Sequence, residues 1–166
     1  MRKAISSTGF TLIELLVVVV ISIVLLGNGL IAFSNFTEKR AVINAVDELK
    51  TYFQLAQTKT AAGDLGGCEQ LNGYRVQTYL VGTATEVSLQ AVCGAGTANT
   101  AQTFQLPAHV TVSPNIDTTF QVLNAGVTLP GGAASQDIVV ANNENNYLFT
   151  LYREGRVSEG AWQWNG

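Results

Sequence analysis

The sequence predicts an α+β fold. A long N-terminal helix, transmembrane in its first part and amphipathic in its second, packs on a C-terminal antiparallel β-sheet head. Three observations carry this expectation. Residues 7–33, STGFTLIELLVVVVISIVLLGNGLIAF, are apolar almost throughout. Beyond them, Val42, Val46, Leu49, Phe53 and Ala56 recur in steps of 4, 3, 4 and 3, the seam of an amphipathic helix. After Gly63 the apolar residues alternate with polar ones, and turn residues punctuate the runs.

The chain has 166 residues, enough for one ordinary domain and a long anchor. Hydrophobic residues make up 47% and charged residues 13%, and the apolar block is concentrated at the start. The formal net charge is −3, and Lys and Arg are scattered rather than clustered, so no nucleic-acid partner is expected. Two cysteines, Cys68 and Cys93, lie in the polar part. An even count in a domain outside the cytosol suggests one disulfide.

The first element is the apolar run. The opening MRKAISSTG carries Arg2 and Lys3, and the run extends from Phe10 to Phe33. At 1.5 Å per residue it reaches roughly 36 Å, against a hydrocarbon core of about 30 Å. As an uncleaved signal anchor it would keep Arg2 and Lys3 in the cytoplasm and the rest of the chain outside. That leaves Glu14 unexplained. A charged carboxylate at mid-bilayer costs about 2.5–3.5 kcal/mol on an insertion scale. Glu14 lies one helical turn after Phe10. If the chain is cut between Gly9 and Phe10, the new α-amine becomes a cation in an apolar setting. Glu14 of the same chain or of a neighbouring subunit could then neutralise it.

At these residues, Gly9, Phe10, Thr11, Leu12, Ile13, Glu14 and Leu15, the chain resembles type IV pilins and type II secretion pseudopilins. The resemblance implies cleavage after Gly9 by prepilin peptidase and N-methylation of Phe10. It also implies that Glu14 pairs with the Phe10 amine of an adjacent subunit, with Thr11 in the same assembly motif. The implied organisation is a leader at 1–9, a transmembrane and assembly helix at 10–36, the amphipathic half at 37–62 and a β-rich head at 63–166. This is the lollipop of the pilin family. The implied partners are other pilin or pseudopilin subunits, an inner-membrane assembly platform and, before assembly, membrane lipid. Without the leader the side-chain balance is 7 basic against 12 acidic residues, 7 − 12 = −5. The proline common past the middle of the family's apolar run is missing here. Gly27 and Gly29 take its place as weak points, since a helical glycine costs about 1 kcal/mol against alanine. They mark either a site of helix flexibility on assembly or small residues for close helix packing.

The second element runs on from the charged collar Glu38, Lys39 and Arg40. Asn44, Asp47, Glu48, Thr51, Gln54 and Thr58 take the face opposite the apolar seam, and Gly63 is a plausible helix stop. Strands are then predicted at YRVQTYLVG, TEVSLQAVC, QTFQLP, HVTVSP, TFQVLNAG, DIVVA, NYLFTLYREG and RVSEG. They form a small antiparallel assembly packed on the helix. A Cys68–Cys93 disulfide would clip the first hairpin region. Closing a loop of about 26 residues would contribute roughly 2–4 kcal/mol.

The far end is similar, more loosely, to the H-type pseudopilins and related minor pilins, at Phe120, Gly126, Ile138, Gly155, Arg156 and Val157. Minor pilins of that group that take part in DNA uptake carry an arginine two residues beyond the Gly-Arg pair, where this chain has Ser158. No catalytic chemistry is visible and no cofactor is expected. His109 stands alone, and the acids near NNENN at 142–146 are too few to define a calcium site. Trp162 and Trp164 fit a terminal strand packed on the sheet, or an exposed aromatic patch. The expectation is a non-enzymatic filament subunit, a minor pilin or H-type pseudopilin. Two alternatives stand beside it: a pilus-tip or competence subunit whose head binds DNA or a surface, and an anchored extracytoplasmic protein that never polymerises.

Overall fold

The computed structural model describes residues 11–163, and the side chains of all of these except 26–32, 34, 97–100 and 124. One helix, α1 (Leu12–Ala62), precedes nine strands: β1 (Leu71–Val81), β2 (Ala84–Cys93), β3 (Gly96–Gln105), β4 (Thr111–Ser113), β5 (Asp117–Gln121), β6 (Val127–Thr128), β7 (Ser135–Ala141), β8 (Asn146–Tyr152) and β9 (Ala161–Gln163). The chain divides into two compact units, Met1–Thr37 and Glu38–Gly166.

In the first unit the helix is apolar on every side. Each residue of 11–25 is exposed, and the large side chains range from 48% exposed at Val17 to 83% at Leu12. The expected transmembrane helix is not found: among the described residues no helix is long and apolar enough to cross a membrane. Within the expected run the side chains described without a break are those of 11–25, and Leu12–Leu25, with Glu14 and Ser22 inside it, covers about 21 Å at the helical rise, against a hydrocarbon core of about 30 Å. The transmembrane-to-amphipathic helix, and with it the lollipop architecture, is therefore corrected to an α+β chain without a described membrane span.

In the second unit the helix carries one buried stripe. Val42, Val46, Leu49, Phe53 and Ala56 are 3% exposed or less, and the polar positions opposite, Asn44 to Thr58, are exposed. Ala45 and Thr60 widen the stripe. Helix α1 ends where the sequence suggests. The Gly63 N–H donates to the Thr60 carbonyl and the Asp64 N–H to the Lys59 carbonyl, a Schellman closure. Gly63 adopts φ +66°, a conformation that costs glycine nothing.

The strands build a five-stranded sheet in the order β3-β2-β1-β5-β6 and a four-stranded sheet in the order β4-β7-β8-β9. Every pairing is antiparallel. Helix α1 packs on both sheets through Phe53. Its ring lies 5.9 Å from Phe120 on β5 and 6.4 Å from Phe149 on β8. Cys68 and Cys93 are joined by a disulfide that ties the loop after the helix to the end of β2. The expected strand at RVSEG reduces to a single bridge between Leu151 and Val157. At Gly155, φ is +88° and an added Cβ would run into the Gln57 side chain, so the chain turns there instead of pairing on.

Candidate functional site

The sequence points to the start of α1. Gly9 and Phe10, the expected cleavage and methylation site, lie outside the described residues. Thr11 and Glu14 are described, and the structure brings them together. The backbone N–H of Glu14 donates to Thr11 Oγ1 at 3.3 Å, and the Leu15 N–H donates to the Thr11 carbonyl at 3.2 Å. Thr11 is thus the N-cap of α1 and Glu14 its third residue, the residue spacing of a capping box, of which the structure shows the bond to the Thr11 hydroxyl. The acid also sits in the first turn, where the helix dipole favours negative charge. The pattern Thr-x-x-Glu was present in the sequence, and the expectation built on the Phe10 amine passed over it.

Glu14 is exposed, as are its neighbours. From Thr11 to Thr37 it is the sole ionisable side chain. The arrangement is therefore one carboxylate on a helix surface that is otherwise greasy all round. Deeper in the same segment Ser22 Oγ donates to the Val18 carbonyl at 2.7 Å, which satisfies its hydroxyl without a partner chain. Gly27 and Gly29 both lie within α1.

In the second unit, the residues of the looser resemblance serve the core and the turns. Phe120 and Ile138 are buried. Gly126 and Gly155 hold positive φ. Arg156 lies over the Tyr152 ring at 3.8 Å, and Val157 packs against the core. His109 is exposed with φ +68° at a turn. Among the described residues no group of three or more His, Cys, Asp or Glu could hold a metal ion. The NNENN loop has a different task. Asn142 Oδ1 accepts the backbone N–H groups of Glu144 and Asn145 at 3.1 and 2.8 Å. Its amide donates to the carbonyl and the carboxylate of Glu38 at 3.1 and 2.8 Å. The loop so fastens the β7–β8 hairpin to the helix.

Trp162 stands edge-on to Tyr147 with ring centroids 5.2 Å apart, under the Lys39 ammonium at 6.0 Å, and stays 40% exposed. Trp164 lies outside the described residues. Sequence reasoning missed the latch beneath this edge. Lys50 Nζ and Tyr147 Oη both donate to the Glu159 carbonyl at 2.7 Å. Nothing local in the sequence signals that contact, because Lys50 and Glu159 are 109 residues apart.

Three surface ion pairs are present among the described residues, the loosest of them Arg156 with Glu154 at 3.4 Å, and the other two are closer. Lys59 reaches Asp64 at 2.6 Å across the helix end. The hydrogen bond from Lys59 holds the Asp64 carboxyl below its ordinary value and raises Lys59 in turn. Arg75 grips Asp117 with two hydrogen bonds, at 2.7 and 2.6 Å, between β1 and β5, which raises the guanidinium's already high value. Compared with protein-family models, curated proteins and solved structures, the chain matches none.

Proposed function

We propose that this chain is a structural subunit of a type IV pilus-like or type II secretion pseudopilus filament, of the minor pilin or H-type pseudopilin kind. The observation that carries the reading is the first unit of α1. It is a helix exposed and apolar on every face, with Glu14 as its one ionisable group, a single turn from the start. A helix that is hydrophobic all round must be buried by something. Helices of neighbouring copies bury it, and they give the carboxylate a use. The amine freed at Phe10 by cleavage after Gly9 is the counter-charge, and pairing it with Glu14 of the next subunit sets the register. In an unassembled chain Glu14 falls back on its capping position beside Thr11.

The disulfide supports a head that matures in an oxidising compartment. The partners in this reading are prepilin peptidase, other filament subunits and their assembly platform.

The test is the intact mass and N-terminal sequence of the protein from its native cells, together with Glu14→Leu. The expected chain begins at N-methylated Phe10, and Glu14→Leu loses incorporation into filaments by at least tenfold. An intact Met1 start in cells with an active prepilin peptidase, or undiminished incorporation of Glu14→Leu, overturns the reading.

A further inference from the structure

Sheet edges are where a β protein meets other chains, and natural proteins shorten, charge or cover them. Among the described residues three of the four edges are short: β6 has 2 residues, and β4 and β9 have 3 each. The fourth, β3, has 10 residues, GTANTAQTFQ, with no charged residue and no proline. It borders the five-stranded sheet, paired with β2 on one side. A register shift between Gln90 and Val92 breaks the ladder near its start, which leaves Ala101–Gln105 as the regular stretch.

The direction of its free hydrogen-bonding groups follows from one bond. The Leu106 N–H donates to the Thr85 carbonyl at 2.9 Å. Antiparallel ladders alternate, so Phe104 and Gln102, opposite Val87 and Leu89, also face β2. The N–H and C=O groups of Ala101, Thr103 and Gln105 therefore point away from the sheet, and all three residues are exposed. Phe104, stacked 4.4 Å from Tyr52 of α1, fixes the strand from its other face.

We propose that β3 is a docking edge for a second copy of this chain, which adds its own β3 antiparallel about Thr103. An exposed row of alternating backbone donors and acceptors is matched by an extended strand. A two-fold axis at residue 103 fixes which residues meet. Thr103 meets Thr103, a favourable cross-strand pair, and Ala101 meets Gln105 on both sides. About six backbone hydrogen bonds form. The interface contains no charge, so the acidic excess of the chain sets no acid against an acid across it. Glu86 sits one strand back opposite Gln105 and accepts the Tyr79 hydroxyl at 2.9 Å. The pairing joins two heads across their sheets, and it stands independently of helix-driven filament assembly.

The experiment uses the full chain in detergent. In a hydrogen-bonded pair the Cα atoms are about 5.5 Å apart, within reach of a disulfide. Thr103→Cys is expected to give a linked dimer under mild oxidation, at least fivefold more than Thr128→Cys on the exposed face of β6. Ala101→Cys mixed with Gln105→Cys is expected to cross-link better than either alone. Thr103→Pro removes an N–H that points outward, so it spares the β2 ladder and is expected to weaken association at least tenfold with the urea midpoint retained. Should Thr103→Pro fail to fold, Thr103→Lys takes its place with the same expected loss. The cross-link is expected to persist in the Glu14→Leu background, which separates this interface from the filament reading. Cross-linking at 103 no greater than at 128, or a dimer indifferent to both Thr103→Pro and Thr103→Lys, overturns the proposal.

Discussion

The two parts of α1 solve the problem of apolar surface in opposite ways. From Glu38 on, the apolar residues keep to one stripe, and the chain's own sheets cover it, with Val42, Leu49 and Phe53 fully buried. From Leu12 to Leu25 they circle the helix and remain exposed. The difference lies in composition and periodicity together: 12 of the 14 residues of Leu12–Leu25 are Val, Leu or Ile, against 5 of the 25 of Glu38–Ala62, where polar and charged residues fill the other faces. A stripe with steps of 3 and 4 can be satisfied within one chain, because one sheet assembly covers one side of a helix. An all-round pattern needs neighbours on every side, so its burial free energy belongs to an assembly.

The sharpest way to break the comparison is to truncate one side chain in each part. Phe53→Ala removes the ring that touches both sheets through Phe120 and Phe149. It is expected to lower unfolding stability by about 3–5 kcal/mol. Leu16→Ala, half exposed, is expected to change it by no more than about 0.5 kcal/mol. Urea unfolding followed by near-UV circular dichroism checks both. Similar losses at the two sites would mean that the first part is covered by its own chain.

The disulfide gives the next largest effect, again confined to the second unit. The paired change Cys68→Ser with Cys93→Ser opens a loop of 25 residues in sequence separation. The expected loss is about 2–4 kcal/mol, since the crosslink mainly restrains the unfolded chain. The urea midpoint with and without the bridge measures it. A midpoint that does not move would show that the β1–β2 ladder alone fixes this end of the sheet.

Much of the second unit was legible because its signals are local and repeated. The five seam residues, the Gly63 stop and the longer strands each follow from a period or a turn residue within a few positions. Strand β6 left no such trace, since 2 residues cannot display alternation, and β9 was suggested by Trp162 and Trp164 rather than by alternation. RVSEG had the right residue types but followed a glycine at positive φ that turns the chain out of register. The contacts that join elements were out of reach, among them Phe53 between two sheets and the Glu159 carbonyl between Lys50 and Tyr147. These depend on residues about a hundred positions apart. At the candidate site the acid was found, and its capping by Thr11 was overlooked. The membrane span was inferred from the length of the whole run Phe10–Phe33, and the described residues supply no helix long and apolar enough to cross a membrane.

The smallest expected effect concerns the helix end that the second part closes and the first part lacks. Lys59 and Asp64 pair across the Schellman turn, and Asp64 Oδ1 also accepts the Gly66 N–H at 3.1 Å. The pair is partly exposed, so it contributes modestly and is screened by salt. Its sign with pH is fixed. Asp64 is held below its ordinary 3.8, chiefly by the hydrogen bond from Lys59, so its contribution is full above 3.8 and disappears as pH falls through the lowered value. Lys59 is raised above its ordinary 10.5, so its contribution is full below 10.5 and fades as pH rises past it. Asp64→Asn keeps an acceptor for Gly66 and removes the charge. The urea midpoints of wild type and Asp64→Asn should therefore differ slightly at neutral pH, and the gap should close on acidification past 3.8 and in high salt. A gap that persists at the acid end would show that the difference does not arise from the Asp64 charge, and the ion pair would then contribute nothing to holding α1 closed.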